Sequence, residues 1–329
     1  MRRVVLLGTG RALPERVLTN DELAQRVATS DEWIQTRTGI RCRRVAAPGQ
    51  AASDLAAEAG RRACAAAGID PQEIDCILCA TVTPDMPLPA CAVLVQRKLG
   101  GRPGSPAFDL AAACGGFLYG LAVAEGLLRG GRYRRVLLCG VEVLSRFIDW
   151  EDRSTCILFG DGAGAAVLGL GEEDDPRGLL SVHLFADGRL ADLLYIPAGG
   201  SLRPASHETV QGREHSVRMD GRAIFAHVVR DLSAACQTAL QDCGLTLLDI
   251  DRVIPHQANR RLLEALAQRL GLPLERLYIN IDRYGNTSAA SVPIALDEAL
   301  EQGWLQPGHT VLLCALGAGL AWGAACLRL

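Results

Sequence analysis

The stretches CILCATV (76–82) and RVLLCGVEV (135–143) are apolar at almost every position, so each predicts a strand buried on both faces. Such strands need helices on both sides of their sheet. Residues 54–79, DLAAEAGRRACAAAGIDPQEIDCILC, predict an amphipathic helix ending at Gly68, then a short connector, an Ile-Asp pair and an apolar strand. Residues 231–254, DLSAACQTALQDCGLTLLDIDRVI, repeat that order around Gly244, with a slip of one residue. Glycine-rich apolar segments at 159–170 and 316–329 each read as a closing hairpin. These echoes predict an α/β protein of two similar halves, residues 1–175 and 176–329, with a site where they meet.

Composition removes several function classes. The chain has 329 residues and is 49% hydrophobic, enough to bury a large core. A formal charge of −3 recommends neither nucleic acid nor an anionic membrane as partner. Lys98 is the sole lysine, in QRKLGG at the predicted end of an exposed helix, which argues against Schiff-base or phosphate-loop chemistry. The opening MRRVVLLGTG is too short an apolar run for a signal peptide. Most of the twelve cysteines sit in apolar stretches, where the free thiol behaves as a small hydrophobe. The expected setting is reducing and cytoplasmic. Cys76 and Cys79 lack a second pair to complete a zinc site, so no metal is expected. Residues 311–327 carry no formal charge but are broken by Gly317, Gly319 and Gly323, which predicts two buried strands rather than a membrane span.

Glycine spacing also argues against a dinucleotide site. Gly8-Thr9-Gly10 lacks a third glycine, and the run from Gly160 to Gly164 leads into more strand.

Three residues could do chemistry. Cys114, in PAFDLAAACGGFLYG, falls where a small-residue turn enters an apolar helix running to about Gly130. Unpaired N–H groups and the helix dipole there favour a thiolate. A buried structural cysteine is the competing reading. His256, in RVIPHQAN, follows a strand, as a site histidine does in α/β proteins, or is an ordinary loop residue. Asn286, in DRYGNTSAASVP, stands in a predicted strand-to-helix turn, where asparagine also serves simply as a turn former.

Taken in order, TSDEWIQTRTGIRCRR (29–44), DLAAACGGF (109–117), DRSTCILFGDGAGAAVL (152–168), PHQAN (255–259) and YGNTSAASVP (284–293) resemble the motifs of the β-ketoacyl-[acyl-carrier-protein] synthase III family. The resemblance covers nearly the whole chain. It implies the thiolase fold, two duplicated α/β halves in a layered αβαβα arrangement. It also implies a decarboxylative condensation of an acyl-CoA with malonyl-acyl carrier protein (malonyl-ACP). Coenzyme A would come as a substrate thioester, with no tightly bound cofactor. By the same match Cys114 is the nucleophile, His256 and Asn286 donate to the malonyl thioester carbonyl, and the Cys114 and Ala318 backbone amides form the oxyanion hole. Trp33 and Arg153 correspond to an adenine clamp; Thr29, Arg37 and Asn259 to other coenzyme A contacts; Gly221 and Phe225 to the pantetheine tunnel wall. Leu88 takes the position of an acyl-pocket gate. Arg260 and Arg261 fall at the expected tunnel mouth, where they could attract an acidic carrier protein. A homodimer is implied by resemblance alone.

Two departures stand out. LGAGLAWG has Ala318 where the family pattern has glycine, so the loop must use ordinary backbone at that residue. Leu88 replaces an aromatic ring, which favours longer or branched acyl groups. Cys314, one residue out of register with a second catalytic cysteine, reads as core. Competing functions are a synthase III-like enzyme of secondary metabolism and a non-catalytic carrier-binding subunit. The intact Cys114–His256–Asn286 set argues against the latter.

Overall fold

A computed structural model describes residues 2–329. Two large sheets organise the chain. The first has five strands in the order Val4–Ala12, Asp161–Leu170, Arg135–Val143, Cys76–Ala80 and Ala107–Leu110. The second has four, in the order Arg252–Pro255, Thr310–Gly317, Ala321–Arg328 and Gly178–Ala186.

The strict two-residue alternation of each strand assigns side chains to layers. In the first sheet, Ile77, Cys79, Leu137 and Cys139 face the helices Ala52–Ala67 and Cys91–Leu99. Cys76, Leu78, Val136 and Leu138 face the opposite way, onto the helices Gly116–Arg129 and Ser291–Glu301. The same pair of helices is covered on its far side by Ile254, Val311, Leu313 and Ala325 of the second sheet. Val253, Leu312, Cys314 and Cys326 then face a last layer, the helices Ser233–Asp242 and Arg260–Leu270. The result is a five-layer αβαβα stack in which the central helices are shared. At about 25 cal/mol per Å² of apolar surface buried, this doubly covered layer dominates the stability.

Helix stops follow local chemistry. Gly68, Gly100 and Gly271 close their helices in the left-handed conformation, with φ of +65°, +75° and +69°, which costs glycine little.

The structure corrects several expectations. Segment 159–170 is no hairpin: Asp161–Leu170 is one strand, paired antiparallel to both Val4–Ala12 and Arg135–Val143. Small residues leave room for that double pairing. Asn286 follows the one-turn helix Ile281–Tyr284 rather than a strand. Lys98 is not at an open helix end, since its Nζ bonds the Ser53 hydroxyl at 2.6 Å and the Asp54 carboxylate at 2.5 Å. Residues 311–327 do form two buried strands, within Thr310–Gly317 and Ala321–Arg328. All twelve cysteines are free. Among the described residues, no helix is long and apolar enough to cross a membrane, and no cluster is placed to hold a metal.

Two glycines separate packing from propensity. A Cβ on Gly140 would lie 2.3 Å from the backbone oxygen of Ala289, whereas one on Gly126, exposed in a helix, would meet nothing within 4 Å. Gly140→Ala is expected to destabilise by about 1–3 kcal/mol. Gly126→Ala is expected to stabilise by about 0.5–1 kcal/mol. Denaturant midpoints of the two variants should therefore move in opposite directions.

Candidate active site

Cys114 sits in the short 3₁₀ turn Ala113–Gly115, between the end of the strand Ala107–Leu110 and the helix Gly116–Arg129. Ala113 just before it is held at φ +45°, in the left-handed region that non-glycine residues avoid. Ser288, two residues past Asn286, is held at φ +48°. Backbone strain of this kind costs on the order of 1–3 kcal/mol per residue and clusters where function demands a fixed geometry. The turns Ala113–Gly115 and Ser288–Ala290 pack on one another, and Cys114 and Ser288 line the same cavity.

The loop between the last two strands closes the other side. Gly317 lies so near Cys114 that a Cβ there would be 2.5 Å from the Cys114 nitrogen. The left-handed backbone in this loop falls on Gly319, at φ +131°, and not on Ala318. Alanine at 318 is therefore compatible with the turn.

An apolar cavity of about 230 Å³ opens beside the sulfur, walled by Val82, Leu144, Phe159, Leu194, Ile196 and Val217, with Cys114, Ser288 and Ala318 at its base. A larger cavity, about 580 Å³, lies elsewhere among Arg11, Arg44, Arg62, Asp297 and Glu301. It holds no nucleophile, so the smaller one is the better site.

His256 follows the strand Arg252–Pro255 and is 5% exposed. Its Nδ1 is 2.5 Å from the Ser291 hydroxyl, which also accepts the Gln257 N–H at 3.3 Å. With that lone pair engaged, the Ser291 proton is assigned to Nδ1, which leaves the ring N–H on Nε2. Burial pushes the imidazole down to about 3, so it works as a neutral donor. Asn286 is fixed by both backbone groups and by its side-chain oxygen. Its N–H donates to Leu158 O at 2.9 Å, its carbonyl accepts from Gly160 N at 3.0 Å, and its Oδ1 accepts from Ser288 N at 2.9 Å. The side-chain amide N–H groups remain to serve a ligand. Cys314 is core, as expected, and its carbonyl accepts the His256 N–H at 2.7 Å.

Burial pushes the Cys114 thiol up to about 12, and the nearby Glu142 carboxylate adds to the rise. The neighbouring Ser288 hydroxyl and the helix N-terminus pull the other way, yet the helix dipole alone is worth roughly 0.3–2 kcal/mol. Dipole activation, the expectation from sequence, is therefore too weak by itself to make this thiolate.

The other candidates fall in two regions. Trp33 lies in the helix Asp31–Thr38 with the guanidinium carbons of both Arg37 and Arg153 4.7 Å from its ring. Arg153 also donates to Ala28 O at 2.8 Å. The expected clamp is thus closed on itself, and a base could enter only if Arg153 swung off the indole. Thr29 Oγ1 is buried without a partner, an unmet acceptor and donor beside that helix. Gly39 at the end of the same helix abuts Arg260, whose Nε pairs with Glu264 at 2.9 Å. Arg261 is exposed, and Asn259 caps their helix by accepting the Arg261 N–H at 2.9 Å. Gly221 begins the helix Gly221–His227, on which Phe225 is 40% exposed. Leu88 does not line the cavity of its own chain; it stands 84% exposed on the loop after Val82.

Sequence reasoning missed Ser288, Ser291 and Glu142. The serines hide in a run of small residues that reads as capping. Glu142 had a legible signal: it is the lone carboxylate in the apolar strand RVLLCGVEV.

The family model described as 3-oxoacyl-[acyl-carrier-protein (ACP)] synthase III matches residues 108–188, and its C-terminal counterpart matches residues 240–329. A β-ketoacyl-[acyl-carrier-protein] synthase III of Caldanaerobacter subterraneus subsp. tengcongensis is 51% identical over 323 residues, covering 98% of this chain and 97% of the relative. The crystal structure of 3-oxoacyl-[acyl-carrier-protein] synthase III from Aquifex aeolicus VF5 superposes with a TM-score of 0.91 at 43% identity, covering 99% of this chain and 100% of that one. The priming β-ketosynthase of the R1128 polyketide pathway superposes with a TM-score of 0.90 at 36% identity, covering 99% and 97%.

A neutral, buried His256 also has a stability signature. Its folded pKa lies below the unfolded value of 6.5, so its contribution is present above pH 6.5 and is lost as pH falls toward about 3. The loss reaches on the order of 4–5 kcal/mol at the acid end. Denaturation of His256→Gln should fall less steeply than wild type between pH 6.5 and 4.

Proposed function

The chain belongs to the 3-oxoacyl-[acyl-carrier-protein] synthase III family, and on that premise we propose that it condenses an acyl-CoA primer with malonyl-ACP to give 3-oxoacyl-ACP, the first condensation of fatty-acid synthesis. The observation that carries this reading is the strained Cys114 turn, with an apolar cavity on one side and the 317–320 loop against its backbone on the other.

Cys114 attacks the acyl-CoA carbonyl, the tetrahedral oxyanion is held by the Cys114 and Ala318 amides, and coenzyme A departs. Each such donor is typically worth about 3–4 kcal/mol of barrier. Malonyl-ACP then places its thioester carbonyl against His256 Nε2–H and the Asn286 side-chain amide. Loss of CO₂ leaves an enolate, whose oxygen those neutral donors stabilise without protonating it. A neutral histidine suits this task better than a cation, which would quench the carbanion. The enolate attacks the acyl-Cys114 thioester, and 3-oxoacyl-ACP leaves.

Trp33, with Arg37, Arg153, Thr29 and Asn259, serves the nucleotide end of coenzyme A, while Gly221 and Phe225 flank the pantetheine. Arg260 and Arg261 attract the carrier protein. Leu88, exposed on its own chain, gates the acyl pocket of a second copy in a homodimer. The enzyme works in the cytoplasm. A second reading keeps the chemistry and changes the pathway, since the R1128 priming synthase is also similar; it predicts primers other than acetyl-CoA.

Intact-protein mass after mixing with a panel of acyl-CoAs tests the core. An acyl increment is expected on wild type and not on Cys114→Ala; no adduct from any chain length would refute the reading. Asn286→Ala should still acylate but condense on the order of 10²–10³-fold more slowly. Condensation rates with acetyl-CoA far above those with C6–C10 acyl-CoAs would refute the pocket argument from Leu88.

A further inference from the structure

The reaction leaves one buried group unused. Glu142 is fully buried on the strand Arg135–Val143 and has no cationic partner among the described residues. Thr83 donates to it at 2.5 Å, Thr81 at 3.4 Å, the Val82 N–H at 3.2 Å, and Ser288 at 3.3 Å from its Oε1. Ser288 lines the cavity beside Cys114, on a turn packed against the Cys114 turn. Its hydroxyl therefore stands between the thiol and the carboxylate.

We propose that Ser288 and Glu142 form a proton relay that takes the Cys114 proton during acylation and returns it after condensation. The inference rests on Cys114 being the acylated nucleophile. In the first half-reaction the Sγ–H bond breaks, its proton passes to Ser288 Oγ, and the Ser288 proton passes to Glu142 Oε1. The freed sulfur electron pair forms the thioester bond. The bond to coenzyme A breaks, and coenzyme A leaves as a thiolate protonated from solvent. In the second, the enolate displaces Cys114 as a thiolate, which recovers its proton from Glu142 through Ser288. The net uptake is one proton per turnover, which balances release of CO₂ from a carboxylate.

Of the two buried bases near Cys114, Glu142 is the stronger. Burial pushes Glu142 up to about 7, partly offset by its hydrogen bonds from Thr83, Val82, Ser288 and Thr81. His256, at about 3, is a far weaker base. The surroundings offer no rival. Asp161 on the adjacent strand is turned to Ser145 and the Ala46 N–H. Cys79 is a free thiol packed with Cys91 and Cys139 in the apolar layer on the far side of the sheet. The helices packed on this strand bring no charged side chain within hydrogen-bond reach of Glu142. Glu142 acts through Ser288, so it is a positioning and proton-holding residue rather than one that meets substrate.

Iodoacetamide alkylation of Cys114, read by peptide mass from pH 5.5 to 10, tests thiolate formation without any acyl chemistry. Acyl-CoA loading is followed in parallel. Wild type should show a rate that rises through a limb near pH 7 and then levels. Glu142→Gln should lose the limb, react at least tenfold more slowly at pH 7.5, and climb with pH to the end of the range. Ser288→Gly, which suits the positive φ of that site, should lose the limb too and guards against misfolding of the first variant. A purely structural role would lower the rate while keeping the limb. A limb near pH 7 retained in Glu142→Gln, or one lost only in His256→Gln, overturns the relay. Alkylation with the expected profile but no acyl loading would instead sink the condensing-enzyme reading, and with it the relay's catalytic role, while showing that the Cys114 proton still passes to Glu142.

Discussion

The contact between Gly317 and Cys114 is the constraint on which the site depends. Gly317 ends a strand of the second sheet and Cys114 sits in the turn after the edge strand of the first, yet their backbones approach until no side chain fits between them. That approach sets the 317–320 loop and its Ala318 amide against the nucleophile turn. It is possible because the helices Gly116–Arg129 and Ser291–Glu301 are shared by both sheets, so neither sheet can shift without disturbing a core it does not own. A five-layer stack of this kind supplies rigidity, and rigidity is what lets Ala113 and Ser288 stay at strained backbone angles.

A second constraint holds Asn286. Arg43 is fully buried and faces no carboxylate; it donates to Leu18 O at 3.3 Å, Asn20 Oδ1 at 2.8 Å and Ile157 O at 2.6 Å. Burial drags its guanidinium down to about 10, still charged at neutral pH. An ion in such a place is tolerated only if its donors are used, and three neutral acceptors use most of them. The strap they secure runs from Ile157 to Gly160, and Asn286 is pinned to that strap through Leu158 and Gly160. A buried cation thus fixes a neutral donor some way off, without placing a charge in the site.

Much of this was legible in the chain and some was not, for physical reasons. Doubly apolar strands at 76–80 and 135–143 signalled helices on both faces, because a strand without a polar side has to be covered. Cys114, His256 and Asn286 could be picked out because each follows a strand or a short turn at an element boundary. Segment 159–170 misled because glycine and alanine suit a hairpin and a narrow central strand equally well, and only the pairing partners decide. Leu88 could not be placed from sequence, since nothing in PDMPLPAC separates an exposed loop leucine from one that lines a pocket. The collapse of Arg37 and Arg153 onto Trp33 was hidden too: stacking partners are interchangeable until a ligand competes for the ring.

The same logic explains why the activation of Cys114 was misjudged from position alone. A helix N-terminus offers the sulfur a modest pull, while enclosure in an apolar cavity costs the charged form far more. The cavity cannot be opened to water, because the acyl chain and the carbanion both need a dry wall. A buried thiol in a dry cavity is best served by a proton acceptor that is itself buried and close by. On the proposed mechanism the neutral His256 serves the enolate, which leaves the thiol proton to a different residue. The proposed division of the two duties, between a neutral imidazole held by Ser291 and a carboxylate behind Ser288, would let one site run thiol chemistry and carbanion chemistry without either protonating the other's intermediate.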